Sequence, residues 1–167
     1  MGALSAIEVP ALRFARTRGH SPALERAARS FTRLGDHAGA WLALGFAGAC
    51  ADAPRRAGWR TATATVAGAY AVNTAVKLAV RRPRPRLPGL PPLVGTPTGL
   101  SSPSAHATSS FAAALAYSRL GLPVFPLYAL ATALALSRLY LGVHYPSDIA
   151  AGALLGTAIA LGAGRLP

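Results

Sequence analysis

Long apolar runs alternate with short polar segments over most of this chain. Five runs are candidate helices, at residues 38–51, 59–80, 105–120, 122–141 and 149–164. A membrane-spanning helix needs about 20 apolar residues, so the first run is short and has to extend past its ends. Asn73 and Lys77 lie inside the second run, where polar residues usually face the protein interior. The pattern predicts an all-α fold, an integral membrane bundle of about five transmembrane helices.

The segment before the first apolar run has a helical period with a polar face. Over residues 21–35, Leu24, Phe31 and Leu34 recur at helical spacing and arginines occupy other faces. A Ser-Pro pair at the start and a glycine at the end are typical helix boundaries. We predict a basic amphipathic helix at the membrane interface, or alternatively a solvated helix packed on the bundle. The chain then divides into an N-terminal segment, 1–37, and a transmembrane domain, 38–167.

Composition strengthens the membrane interpretation. Hydrophobic residues make up 52% of the chain and the mean hydropathy is +0.37, yet the formal net charge is +12. A nucleic-acid-binding domain usually spreads its charge over amphipathic elements, whereas here the apolar runs are almost free of charge. No nucleic-acid partner is therefore expected. The single cysteine, Cys50, forms no internal disulfide or thiolate metal site and is predicted to be a small core residue.

The longest polar segment, residues 81–103, is a proline-rich loop that begins with most of a cluster of cations. Prolines prevent the preceding helix from continuing, and a loop of this length in a compact bundle is more often functional than idle. The cluster consists of Lys77, Arg81, Arg82, Arg84 and Arg86. So much positive charge is typical of a nucleic-acid arm, a cytoplasmic membrane flank or a pocket for an anion.

Three short motifs favour the pocket. Lys77 precedes Arg84-Pro85 by six intervening residues, "PSAH" occupies 103–106, and "SRLYLGVHYPSD" occupies 137–148. In order and spacing they resemble the signature of the type 2 phosphatidic acid phosphatase superfamily: Lys-x6-Arg-Pro, Pro-Ser-Gly-His and Ser-Arg-x5-His-x3-Asp. Ala105 stands where the family pattern has glycine, and we expect its extra methyl group to be tolerated.

The chemistry of these residues suits phosphoryl transfer. His144 and Asp148 are four residues apart, so the carboxylate can orient one ring nitrogen and leave the other free to attack phosphorus. His106 is the candidate acid and base for the leaving oxygen and for water. The predicted phosphate-binding residues are Lys77, Arg84, Ser104, Ala105 and Arg138. Backbone N–H groups at a helix start near Ser104 add to this anion site. No metal ion or cofactor is expected.

The resemblance implies a phosphatase that acts on a lipid-linked phosphate through a phosphohistidine intermediate. The stretches "RRPRPRLPGLPP" and "SSPSAHATSSFAAA" look most similar to actinobacterial decaprenylphosphoryl-5-phosphoribose phosphatases. Relatives that act on undecaprenyl pyrophosphate or phosphatidylglycerol phosphate remain alternatives. Vanadium haloperoxidases share the signature but are larger soluble proteins. A membrane adaptor without catalysis is the alternative from another class, and the sequence leaves the oligomeric state open.

The basic residues also predict a location and an orientation. With five spans in the inner (plasma) membrane, twelve of the 17 Lys and Arg residues fall on the side of the N-terminus and of the 81–103 loop, and five on the other. Cytoplasmic segments carry an excess of Lys and Arg, so the active site is predicted to face the cytoplasm. Family members that act on recycled carrier lipids typically work on the outer face. Arg81, Arg82 and Arg86 are predicted to contact lipid head groups or to set topology, with an accessory role in substrate binding left open.

Overall fold

The computed structural model describes residues 3–164, and every regular element in that part of the chain is helical. Two 3-10 helices, Arg33–Ala38 and Ala53–Arg55, join α2 to α3 and α3 to α4. The α-helices are α1 (Ala3–Thr17), α2 (Pro22–Thr32), α3 (Gly39–Ala51), α4 (Arg56–Val80), α5 (Ala105–Ser118), α6 (Val124–Tyr140) and α7 (Pro146–Gly162). The all-α prediction is confirmed.

Helices α3 to α7 coincide with the five predicted apolar runs, with boundaries shifted by a few residues. Over residues 3–164, no single helix is both long enough and apolar enough to cross a membrane. The polar loop between α4 and α5 is irregular, as its prolines require.

The two N-terminal helices depart further from the prediction. Ser21 caps α2 as predicted, since its Oγ accepts a hydrogen bond from the Leu24 N–H at 3.2 Å. The helix ends at Thr32, however, and Gly35 lies inside the following 3-10 helix. Helix α1 was not predicted, because Pro10 falls within it and a proline usually marks a helix boundary.

Helix α5 occupies the centre of the bundle, where it packs against α4, α6 and α7. Its buried face consists largely of small residues, including Ala107, Ala112 and Ala113. On α7, Gly152 and Gly156 face α5 so closely that a Cβ atom at either position would overlap its backbone. Small residues at a helix contact let the two backbones approach, which explains the tight α5–α7 pair.

A cluster of aromatic residues joins α3, α4 and α5. The Tyr117 hydroxyl donates to the Trp41 carbonyl at 2.7 Å, and Trp41 Nε1 donates to Ser110 Oγ at 2.8 Å. Cys50 lies outside this cluster and is exposed, so its prediction as a core residue is wrong. Since α3 is apolar around its whole circumference, hydropathy does not show which side faces inward.

One end of the bundle collects the chemically active segments. The carboxyl ends of α4 and α6 lie there beside the amino ends of α5 and α7, because successive helices run in opposite directions. The 81–103 loop folds over this end, where the Leu93 N–H donates to the Leu141 carbonyl at 3.0 Å. Helix α1 is tied to the loop as Arg16 Nη2 donates to the Pro91 carbonyl at 2.8 Å.

Candidate active site

A cavity of about 410 Å³ opens at this end of the bundle. The predicted site residues that line it are Lys77, Arg84, Ala105, His106, Arg138 and His144. The remaining two, Ser104 and Asp148, are fully buried and lie against each other, with the Ser104 N–H donating to the Asp148 carbonyl at 3.0 Å. The structure therefore brings all three motifs to one place.

His144 is held between an acidic and a basic side chain. Its Nδ1 lies 3.5 Å from Asp148 Oδ2, slightly longer than an ordinary hydrogen bond, and its Nε2 lies 3.2 Å from Arg84 Nη1. Because the guanidinium can only donate, this arrangement favours the tautomer with the proton on Nδ1 and a lone pair on Nε2. Burial lowers the pKa of His144 to about 4, so the ring is neutral at neutral pH.

Asp148 is oriented by the start of α7. Tyr145 is the N-cap residue, and its N–H donates to Asp148 Oδ2 at 2.8 Å. The helix begins where the four-residue spacing of His144 and Asp148 requires it. Asp148 Oδ1 accepts a second hydrogen bond, from Arg82 Nη1 at 2.8 Å. Both oxygens of the carboxylate therefore accept hydrogen bonds from groups other than the histidine.

His106 lies in the first turn of α5 and is also buried. Its Nε2 is 2.9 Å from the Thr32 carbonyl and 3.5 Å from Asp36 Oδ1. The backbone at Gly35 approaches the imidazole so closely that a Cβ there would overlap the ring. These three partners come from the end of α2 and the 3-10 helix that follows it. Nothing in the sequence links them to His106, so sequence reasoning missed them.

The cations reach the cavity from three elements. Arg84 is fixed by donation from Nη1 to the Val143 carbonyl at 2.7 Å and from Nε to the Thr98 carbonyl at 2.8 Å. Arg138 is 4% exposed and its Nη1 donates to Thr32 Oγ1 at 2.7 Å. Together with Lys77 at the end of α4, they surround a site suited to a tetrahedral anion.

The amino end of α5 supplies further donors next to Ser104. Ser104 is the N-cap, but its N–H is already bonded to Asp148 and its buried Oγ has no hydrogen-bond partner among residues 3–164. The first bond within α5 runs from the Thr108 N–H to the Ser104 carbonyl. The N–H groups of residues 105–107 are therefore the ones left unpaired by the helix.

Close to the site, the sequence predicted the environment of one polar residue, Asn73, but not the contact made by another, Arg82. Asn73 is fully buried, as predicted, and its Nδ2 donates to Thr108 Oγ1 at 2.9 Å and to the Pro103 carbonyl at 3.2 Å. It ties α4 to the "PSAH" motif. Arg82, which was predicted to contact head groups or to set topology, also binds Asp148 with its guanidinium at 2.8 Å, a contact that the sequence did not predict. Arg81 and Arg86 are exposed.

Comparison with known proteins agrees with this geometry. A sequence model of the PAP2 superfamily matches residues 58–166, more than half of the chain. The chain belongs to the PAP2 superfamily. It is 45% identical over 139 residues to a decaprenylphosphoryl-5-phosphoribose phosphatase of Mycobacterium tuberculosis, covering 83% of this chain and 77% of that protein. The Mycolicibacterium smegmatis protein of that name is 43% identical over 132 residues, covering 78% and 72%.

Solved structures show the same PAP2 fold. A PAP2-type phosphatidylglycerolphosphate phosphatase from Bacillus subtilis superimposes with a TM-score of 0.78 at 21% identity, covering 98% of this chain and 85% of that one. Aquifex aeolicus LpxE gives a TM-score of 0.73 at 21% identity, covering 94% of each chain. The family resemblance drawn from the three motifs is confirmed. The role of each PAP2 motif residue in this chain stays a prediction.

Proposed function

We propose that this PAP2 protein is a membrane phosphatase that hydrolyses a polyprenyl-linked phosphomonoester, with decaprenylphosphoryl-5-phosphoribose as its substrate. The observation that supports it most is the position of His144, with Asp148 at one ring nitrogen and Arg84 at the other, in a cavity lined by cations. The two mycobacterial relatives support the choice of substrate.

The proposed reaction has two steps. His144 Nε2 attacks phosphorus, the bond from phosphorus to the ribose oxygen breaks, and His106, protonated at the start of the step, gives a proton to that oxygen. Water then attacks the phosphohistidine while the neutral His106 takes a proton from it, which releases phosphate, restores a neutral His144 and returns His106 to its protonated form. Lys77, Arg84 and Arg138 stabilise the charge on the transferring group in both steps.

The rim of the cavity suits a hydroxylated head group. Beside the cations it presents neutral and acidic polar side chains, from Asp36, His37, Tyr70, Thr96 and Thr98. His37 Nδ1 and the Tyr70 hydroxyl are 2.8 Å apart, so the two residues are already placed as a hydrogen-bonding pair. Such groups can bind sugar hydroxyls next to a phosphate, whereas phosphatidic acid carries no hydroxyl groups beside its phosphate.

We also propose that α3 to α7 are embedded in the inner (plasma) membrane and that the N-terminal segment, 1–37, lies at its interface. Large apolar side chains are exposed on several of these helices, and exposed apolar surface is one mark of membrane contact. They include Phe46, Leu78, Val80, Val124, Phe125, Leu136, Leu154 and Leu161.

The experiment that tests the function is a substrate panel with the purified protein in detergent. We expect the highest kcat/KM for phosphate release with decaprenylphosphoryl-5-phosphoribose, against phosphatidylglycerol phosphate, undecaprenyl pyrophosphate and phosphatidic acid. A His144→Asn protein, which keeps the size of the side chain approximately, should release none. Faster turnover of a diacylglycerol phosphate would overturn the substrate assignment, and no release from any lipid phosphate would overturn the activity.

A further inference from the structure

Asp148 is a buried carboxylate that forms a direct ion pair with the guanidinium of Arg82. The carboxylate is 0% exposed, and its oxygens contact the Tyr145 N–H, the His144 ring and Arg82 Nη1. A buried charge is costly unless it is paired and hydrogen-bonded. The position of Arg82 therefore determines how stably the charged carboxylate is held against His144.

Arg82 is itself held by the N-terminal helix. Its Nη2 donates to Glu8 Oε2 at 2.6 Å, and its Nη1 also donates to Ser147 Oγ at 2.6 Å. The guanidinium carbon lies 4.2 Å from the centre of the Tyr145 ring. Since a guanidinium is planar with a fixed fork of donors, these contacts leave it one orientation.

Glu8 completes the arrangement from α1. Its side chain is 6% exposed, and its second oxygen, Oε1, accepts the N–H of Ser147 at 2.9 Å. Ser147 is in the first turn of α7, the turn that contains Asp148. Glu8 thus contacts both the cation that binds Asp148 and the backbone next to Asp148. A carboxylate at a helix start is also favoured by the helix dipole.

We propose that Glu8 is a positioning residue for the reaction at His144. It fixes Arg82 and the first turn of α7, and through them the Asp148 carboxylate that orients the histidine. Successive contacts link Glu8 to Arg82, Arg82 to Asp148, and Asp148 to His144. These contacts make α1 part of the catalytic apparatus. The phosphatase readout of this inference rests on the proposed function, but the placement of the histidine ring can be measured separately.

The kinetic test compares Glu8→Gln with wild type. Glutamine offers one acceptor oxygen where glutamate offers two, so it can bind Ser147 or Arg82 but not both. We expect kcat to fall about tenfold, which is the lower end of the loss seen when a residue that orients a metal-binding side chain is removed from other enzymes. KM should change by less than about twofold because Lys77, Arg84 and Arg138 are untouched. Glu8→Asp should recover part of kcat.

Glu25→Gln is the matched control. Glu25 also pairs with an arginine, Arg29, at 3.1 Å, and it lies on α2 without contact to Asp148. Its loss should leave kcat unchanged whatever it does to the melting temperature. An equal fall in kcat in Glu8→Gln and Glu25→Gln would show that Glu8 acts only through the general stability of the protein, and it would overturn the inference.

A double-mutant cycle separates positioning from general stability. In an Asp148→Asn background, the further change Glu8→Gln should alter kcat by less than about twofold, since residues in one network are not additive. A full tenfold loss in both backgrounds would show that Glu8 acts by another route and would overturn the inference.

The second readout does not depend on activity. In protein labelled with 15N-histidine, the Nδ1 shift of His144 should be the same in wild type and Glu25→Gln, and should move in Glu8→Gln because the Asp148 carboxylate beside Nδ1 is held less firmly. Unchanged His144 signals in Glu8→Gln would overturn the inference. A protein that releases no lipid phosphate contradicts the proposed function, and this comparison then still decides the role of Glu8.

Discussion

At the scale of single residues, the site places a guanidinium directly beside a histidine ring. The guanidinium of Arg84 lies beside the His144 ring, which stays neutral because burial disfavours its protonated form. A neutral ring retains the lone pair that nucleophilic attack requires. The same cation that suppresses protonation of the histidine is the one proposed to bind the phosphate. In the proposed mechanism one side chain therefore serves both the nucleophile and the anion.

The protonation state of His144 gives a first prediction. A histidine whose pKa is lowered to about 4 takes up its proton only at a correspondingly low pH, so the ring should remain neutral at pH 5.5. The 15N shifts of histidine-labelled protein in detergent measure this, with the His144 signals assigned by their loss in His144→Gln. A midpoint near the ordinary histidine value of about 6.5 would contradict the buried, cation-flanked environment.

Vanadate tests the anion site. It can adopt the shape of the phosphoryl transition state, so it should inhibit the wild-type protein. Lys77→Ala and Arg84→Ala should each raise the inhibition constant about tenfold or more, because each removes a charged donor. Arg86→Ala is the control, since Arg86 is exposed in the same loop. Unchanged inhibition in both cavity variants would place the anion elsewhere.

At the scale of elements, the 3-10 helix between α2 and α3 is the least expected part of the site. It brings Asp36 and the backbone of Gly35 against His106, and His37 and Ala38 within it adopt positive φ. Such strained backbone is often found where a functional side chain has to be placed. The connector acts as a wall of the cavity as well as a link between helices.

Gly35→Ala should therefore be far more damaging than a glycine change nearby. The added methyl group overlaps the His106 ring and has to displace it, and a displacement of about 1 Å at a catalytic group can cost about a hundredfold in rate. Gly39→Ala is the matched control, because a Cβ at Gly39 meets no atom within 4 Å. Full phosphate release by Gly35→Ala would show that His106 tolerates the shift or is not required.

The elements also show how far the sequence determines the fold. Helices α3 to α7 could be predicted because their apolar runs are long and end at prolines, glycines or charges. Helix α1 could not, because Pro10 interrupts its pattern. The candidate site residues within the motifs could be named because the order and spacing of the motifs resemble the family signature. Glu8, Thr32 and Gly35 could not be named in this way. Their proposed roles depend on contacts between helices that are distant in sequence, and a single sequence does not show which helices are in contact.

At the scale of the whole molecule, the N-terminal helices and the 81–103 loop lie at the same end as the cavity. Arg29 Nε donates to the Leu93 carbonyl at 2.8 Å, and Glu8 pairs with Arg82. With α3 to α7 in a membrane, this end carries the larger share of the basic residues. The positive-inside rule then predicts that the cavity faces the cytoplasm.

Cysteine labelling in intact cells tests this orientation. Single cysteines are introduced at Gly95 and Ala57, both exposed, in a Cys50→Ala background that removes the exposed native thiol. An impermeant reagent should label the Ala57→Cys protein and not the Gly95→Cys protein, and permeabilised cells should show labelling of both. Labelling of Gly95→Cys alone in intact cells would place the cavity on the outer face.

The central claim is that His144 receives the phosphoryl group during turnover. The direct measurement is a rapid quench with the substrate labelled by 32P at its phosphomonoester, followed by mapping of the protein-bound label. We expect label on the peptide that contains His144, stable in base and lost in acid as for a phosphorus–nitrogen bond, and none in His144→Asn. Turnover without bound label at any quench time, or label retained in His144→Asn, would contradict the account.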